Sequence, residues 1–230
     1  MTTQTSPEER ASQLRALAEQ ASSCTQCGLS GGRTNVVFGY GDPDADLMIV
    51  GEGPGQHEDE QGLPFVGRSG QLLDQLLGEI DLRREDNVYI GNVVKCRPPG
   101  NRDPRQDEID TCKDYLREQL RLIDPKVVVT LGNFSSKLLL RTETGITKLR
   151  GRAYEWWGRF LIPTFHPAAA LRGSASVLEA MRADFGLVAD IVAGRLRPEE
   201  PTASPDAPAE PPAEPNSFAE PAVDQLGLFR

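Results

Sequence analysis

A chain of 230 residues that is 38% hydrophobic and 26% charged lies in the ordinary globular range and is long enough for one well-buried core. No apolar run approaches the roughly 20 residues needed to cross a bilayer, and the start MTTQTSPEERAS lacks the charged-then-apolar order of a signal peptide, so a cytoplasmic protein without membrane contact is expected. The net charge of −9 would argue against a nucleic-acid partner if evenly spread, but residues 198–230 hold seven acids against Arg230 alone, which leaves −3 for residues 1–197.

In chain order, Ser6, Pro7 and Glu9 spell a capping box with proline at the first helical position, so a helix is predicted to about Ser22. ADLMIVG reads as a buried strand. A glycine-rich loop follows, then a helix in SGQLLDQLLGEI, whose Leu72, Leu73, Leu76, Leu77 and Ile80 keep helical spacing. NVYIGNVV is the next strand, Arg105 to Ile123 a helix, KVVVTLG a strand and NFSSKLLLRT a helix. RFLIPTF is the last strand, before a final helix near Val177 to Val192. This alternation predicts an α/β fold: a three-layer α/β/α sandwich around a central, mostly parallel sheet. Ligands of such folds bind beyond the carboxyl ends of the strands, where the glycine-rich loop, Asn92 and His166 all fall.

From about Pro198 the chain holds eight prolines, seven acids and almost no large apolar residue, a composition unable to offset its ordering entropy. A folded domain over 1–197, a disordered Pro/Ala/Glu-rich linker over 198–224 and a terminal peptide over 225–230 are therefore expected.

The loop GEGPGQHEDEQGLPFVGRSG (51–70) holds six glycines, four carboxylates (Glu52, Glu58, Asp59, Glu60) and an aromatic, Phe65, that reads as exposed. It lacks the lysine and Ser/Thr of a phosphate loop and the G-x-G-x-x-G of a dinucleotide loop, and its acids would repel phosphate. Asp59 and Glu60 read as solvated loop acids and His57 as exposed. The basic clusters KCRPPGNRDPR and TKLRGR can still attract phosphate. The four cysteines, Cys24 and Cys27 in CTQC, then Cys96 and Cys112, favour a metal site over disulfides in a chain with no export signal. Four thiolates suit zinc or an iron–sulfur cluster alike, and their spacing does not separate the two.

Taken together, GEGPGQHEDEQGLPFVGRSGQLLD, NVVKCRPPGNRDP, the four cysteines and FHPAAALR resemble the family 4 uracil-DNA glycosylases, bacterial and archaeal enzymes with a 4Fe-4S cluster. The resemblance runs from about Cys24 to Ala193. It implies hydrolysis of the N-glycosidic bond of uracil in DNA, single- or double-stranded, by a monofunctional enzyme of base-excision repair. His166 matches the histidine that hydrogen-bonds uracil O2, Asn92 the asparagine that reads the base edge, and Phe65 the aromatic on which the flipped base stacks. Gly53 stands where better-known relatives place a water-activating aspartate, which leaves Glu52 and Glu58 as the contributing carboxylates. Leu171 and Arg172 match the loop that enters DNA, as wedge and phosphate contact. Cys24, Cys27, Cys96 and Cys112 would hold the cluster and shape the loop between them for the DNA backbone. TKLRGR lacks the histidine of the related branch that traps DNA covalently, so ordinary turnover is expected.

The terminal QLGLFR resembles the bacterial sliding-clamp-binding motif through Gln225, Leu226, Leu228 and Phe229, with Gly227 a departure from it. A monomer associated with the nucleoid is expected. The alternative of another class is a non-catalytic iron–sulfur DNA-binding module that recruits the clamp. A nucleotide-processing enzyme built on the first loop is the weaker third reading.

Overall fold

A computed structural model of the chain describes residues 6–173 and 175–195. The readings for 198–224 and for Gln225, Leu226, Leu228 and Phe229 lie outside the described residues. The first helix, α1 (Pro7–Ser22), starts as its sequence dictates: Glu9 N–H donates to Ser6 Oγ at 3.2 Å while Glu9 Oε2 accepts from Ser6 N–H at 2.9 Å.

Six strands form one sheet: β1 (Tyr40–Gly41), β2 (Leu47–Gly51), β3 (Val88–Asn92), β4 (Val127–Leu131), β5 (Tyr154–Trp156) and β6 (Arg159–Thr164). Their order is β1-β3-β2-β4-β6-β5; the inner four run parallel and the two short edge strands antiparallel. Every residue of β2, β3 and β4 is buried, as expected of parallel strands covered on both faces. The two-residue period divides them between two cores. Met48, Val50, Tyr89, Val128 and Leu161 pack with α1, α4 (Gln106–Ile123) and α5 (Asn133–Leu140). Leu47, Ile49, Val88, Ile90, Val127, Val129 and Ile162 pack with α3 (Arg68–Gly78) and α8 (Ala175–Val192). The three-layer, mostly parallel expectation holds. Both antiparallel edges, and the short helices α2 (Gln56–Gln61), α6 (Ile146–Leu149) and α7 (Pro167–Arg172), go beyond it.

Strand β2 lies between β3 and β4, so the chain leaves it first to one side and then returns to the other. The loops diverge there at the carboxyl ends, the place where open α/β sheets bind ligands. No described helix is long and apolar enough to cross a membrane.

Candidate active site and cysteine cavity

A cavity of about 770 Å³ opens at the carboxyl ends of the four parallel strands. Its walls come from the loop after β2 (Glu52, Gly53), from Glu58 on α2, from Phe65, from the end of β3 and the loop beyond it (Asn92, Pro98, Asn101 to Asp103), from the start of α5 and from His166 with Arg172. The structure thus brings together Glu52, Gly53, Glu58, Phe65, Asn92, His166 and Arg172. Leu171 is exposed and is not part of that wall.

Phe65 corrects an expectation: it is only 7% exposed. Its backbone has a left-handed φ of 52°, held by Arg84, whose Nη1 donates to Pro64 O at 2.9 Å and Nη2 to Phe65 O at 3.1 Å. A Cβ at Gly70 would come within 1.7 Å of Phe65 O, so only glycine lets α3 start against this turn. The ring is therefore held by backbone geometry at one wall of the cavity. It lies 5.8 Å from the His166 ring, centroid to centroid, with the planes tilted by 33°.

His166 caps α7, and its Nδ1 accepts from Ala168 N–H at 3.2 Å. Burial, seconded by Arg172 and opposed by Glu58, pushes its pKa down to about 4. The imidazole is neutral at physiological pH, and with Nδ1 accepting, the proton sits on Nε2. Asn92 ends β3, opposite Gly51 in the parallel register, and is 1% exposed; its Oδ1 is buried with no hydrogen-bond partner among the described residues. An orphaned buried acceptor costs about 1–3 kcal/mol and needs a reason. A Cβ on Gly51 would stand 2.4 Å from that Oδ1 and 2.8 Å from Phe65 Cζ, so the space between these two side chains exists because residue 51 has none.

The carboxylates separate by environment. Glu52 is half-buried, and burial, helped by Asp103, raises its pKa to about 7. Glu58 Oε1 accepts from Val66 N–H at 3.0 Å and Gly67 N–H at 3.1 Å, which fixes the turn behind Phe65. Asp59 overturns the solvated reading: it is 3% exposed, and its carboxylate accepts from Thr34 N–H at 2.9 and 3.0 Å. Burial follows because backbone amides replace the water a carboxylate would otherwise require. Glu60 is exposed, and so is His57, which meets Glu60 at 3.6 Å.

Cys24, Cys27, Cys96 and Cys112 line a second cavity of about 20 Å³, together with Arg33, Lys95 and Tyr115. All four thiols are free. Arg33 Nη1 donates to Cys96 Sγ at 3.5 Å and Lys95 N–H to Cys112 Sγ at 3.3 Å. Burial raises the pKa of Cys96 and pushes that of Cys112 up to about 11, against the pull of the Lys95 ammonium. Among the described residues no group of three or more His, Cys, Asp or Glu is placed to hold a metal ion. Four thiols around one void, with N–H donors aimed at two of the sulfurs, nevertheless fit a thiolate-ligated group in their chemistry.

Sequence reasoning missed two further residues. Lys95 is fully buried, its Nζ donating to Asn92 O at 2.7 Å and Gln119 Oε1 at 2.5 Å, and desolvation pushes its pKa down to about 8. Its place in NVVKC, inside an otherwise apolar run beside a cysteine, was the available signal. Glu108, 3% exposed, takes a two-pronged pair from Arg102 at 2.6 and 2.8 Å and anchors the loop after Cys96 to α4. Its signal was weaker, a single acid on the buried face of an amphipathic helix.

The family model of the uracil DNA glycosylase superfamily matches residues 38–185, beginning after Cys24 and Cys27. The type-4 uracil-DNA glycosylase of Sulfurisphaera tokodaii is 48% identical over 166 residues, 69% of this chain and 76% of the relative. That of Thermotoga maritima is 46% identical over 167 residues, covering 72% and 86%. The Archaeoglobus fulgidus enzyme of the same type is 41% identical over 190 residues, covering 79% and 94%.

Proposed function

The chain belongs to the uracil DNA glycosylase superfamily and is a uracil-DNA glycosylase, and from that premise we propose how its pocket acts on uracil in DNA. The observation that carries the reading is the orphaned Asn92 Oδ1 beside the buried face of Phe65. Uracil N3–H supplies the missing donor, the Asn92 amide nitrogen meets O4, and cytosine, with an acceptor at N3, is refused. Phe65 offers the stacking surface for the extruded base.

As the N-glycosidic bond lengthens, the base gathers negative charge and the sugar becomes oxocarbenium-like. A neutral His166 donating from Nε2 to O2 stabilises the departing anion without first having to lose a proton elsewhere. Glu52, with its pKa near working pH, orients the attacking water and takes its proton. Glu58 keeps Phe65 in register and adds a favourable field at the cationic sugar. Arg172 contacts a phosphate at the mouth and Leu171, exposed beside it, enters the gap left by the base. None of these roles forms a covalent bond to DNA, in keeping with a monofunctional glycosylase.

Cys24, Cys27, Cys96 and Cys112 would hold a 4Fe-4S cluster; what supports this is their shared cavity and the donors facing their sulfurs. Bound, it would cross-link the segment after α1 to the loop beyond β3, a structural service. On sequence alone we also assign residues 1–197 to the catalytic domain, 198–224 to a linker and 225–230 to a sliding-clamp-binding peptide, in a cytoplasmic monomer. The test of the whole is release of uracil from an oligonucleotide carrying one U, read as alkali-labile strand cleavage, with and without His166→Ala. Cleavage by the parent and its loss in the variant are expected. A cluster-loaded parent inert on single and double strands would leave only a DNA-binding module.

A further inference from the structure

The helix α2 has six residues, too few to be stable by itself. It is nonetheless held from both sides by adjacent acids. On one side Glu58 takes the amides of Val66 and Gly67, directly after Phe65. On the other, Asp59 takes the amide of Thr34 at 2.9 and 3.0 Å and that of Asn35 at 3.4 Å. Asn35 answers with its own side chain, Nδ2 donating to Asp59 O at 2.8 Å and Glu60 O at 3.1 Å. The segment so gripped begins at the cysteine cavity, because the preceding residue, Arg33, donates through Nη1 to Cys24 O at 2.6 Å and to Cys96 Sγ at 3.5 Å.

These contacts form one continuous run, from cysteine sulfur through Arg33, Thr34 and Asn35 to Asp59, across one peptide bond to Glu58, and on to the turn that sets Phe65. We propose that Asp59 is a positioning residue that transmits the state of the cysteine site to the base-stacking wall of the uracil pocket. Asp59 touches neither base nor sulfur. Its carboxylate joins the segment that leaves the cysteine cavity to a helix too short to hold its own position, and Glu58 passes that constraint to the left-handed turn at Phe65. The inference rests on the reading of the two cavities given above, with the cysteine site loaded and the other cavity binding uracil.

The test compares the cluster-loaded parent with Asp59→Ala, Asp59→Asn and Asn35→Ala. It reads amide hydrogen exchange, the visible absorbance of the cluster, and KM against kcat for uracil release. The expected result for Asp59→Ala is faster exchange both at 34–35 and at 65–67, which share no sequence, together with a KM raised tenfold or more and cluster absorbance retained. Asp59→Asn, which keeps one acceptor oxygen, should recover part of the loss. Faster exchange confined to 33–36 with unchanged KM would overturn the proposal and reduce Asp59 to a local brace. Should Asp59→Ala fail to fold, Asn35→Ala loosens the same joint from the far side and is held to the same two outcomes. A parent that stays colourless or releases no uracil would indict the underlying reading of the cavities instead, which separates the two failures.

Discussion

The His166 and Phe65 rings lie 5.8 Å apart, centroid to centroid, at a tilt of 33°, with the His166 Nδ1 already committed to the amide of Ala168. One ring is thus tied down as a donor from Nε2, the other as a surface. His166→Ala should lower kcat by about 10²–10³-fold, the usual cost of losing one preorganised donor to a developing anion, with little change in KM. Phe65→Ala should instead act on binding, by about 1–3 kcal/mol of stacking. Single-turnover rates and the Kd for DNA carrying a non-hydrolysable uridine analogue separate the two.

The same imidazole makes an acid-stability prediction. Its pKa falls from an ordinary value of 6.5 to about 4 on folding. The unfolded chain therefore binds the extra proton between those values, and stability drops as pH falls from about 6.5 toward 4. Denaturant midpoints measured across that window should flatten in His166→Asn.

Glu52 has the opposite sign. Its pKa rises from 4.5 to about 7 on folding, so the native state holds the proton longer and stability declines as pH climbs from 4.5 to 7. Glu52→Gln should stabilise the protein above pH 7 by about 1 kcal/mol, the full shift being discounted because the group is only half-buried. In its proposed role of orienting water, Glu52 must be ionised. The parent's kcat should therefore rise with pH through about 7, and the glutamine variant should lose that limb along with most of its rate.

Lys95 joins the two sites by a different route, reaching from the wall of the cysteine cavity to the carbonyl of Asn92. Lys95→Met keeps the bulk but orphans two buried acceptors, Asn92 O and Gln119 Oε1. A loss of about 1–3 kcal/mol in stability per orphaned acceptor is expected. With the Asn92 backbone no longer held, discrimination of uracil over cytosine should also narrow, read as the ratio of kcat/KM on the two substrates.

Replacing Cys112 by serine should cost folding before chemistry. With the proposed cluster in place, the expected signs are a bleached protein, a lowered Tm and poor expression, while any folded fraction that keeps the cluster turns over near the parental rate. Absorbance and activity per mole of iron check this.

Elements with a strong local period were legible in the sequence: the capping box of Ser6 and Glu9, the leucine stripe of α3 and the apolar strands β2, β3 and β4 all stand where their patterns put them. The edges were not, because two residues at Tyr40–Gly41 and three at Tyr154–Trp156 are too few to show alternation, and their pairing with β3 and β6 is set by distant partners. Family motifs named the pocket residues, and the strand ends bring most of them together. What stayed hidden were buried polar groups. Asp59, Lys95 and Glu108 look like surface residues in a one-letter string, and only the amides and carbonyls brought to them by folding make their burial affordable.

At Gly51 the pocket is shaped by an omission. The space it leaves is bounded by the side chains of Asn92 and Phe65, the one buried at the end of a central strand and the other held on a left-handed turn. An aperture of that kind adapts poorly: even one methyl group at residue 51 must push Asn92 and Phe65 aside. Attempts to retune this enzyme toward bulkier bases therefore have no freedom on the β2 side and would have to remodel the opposite rim, where the helix start at Asn133 and the loop at Asn101 supply the wall.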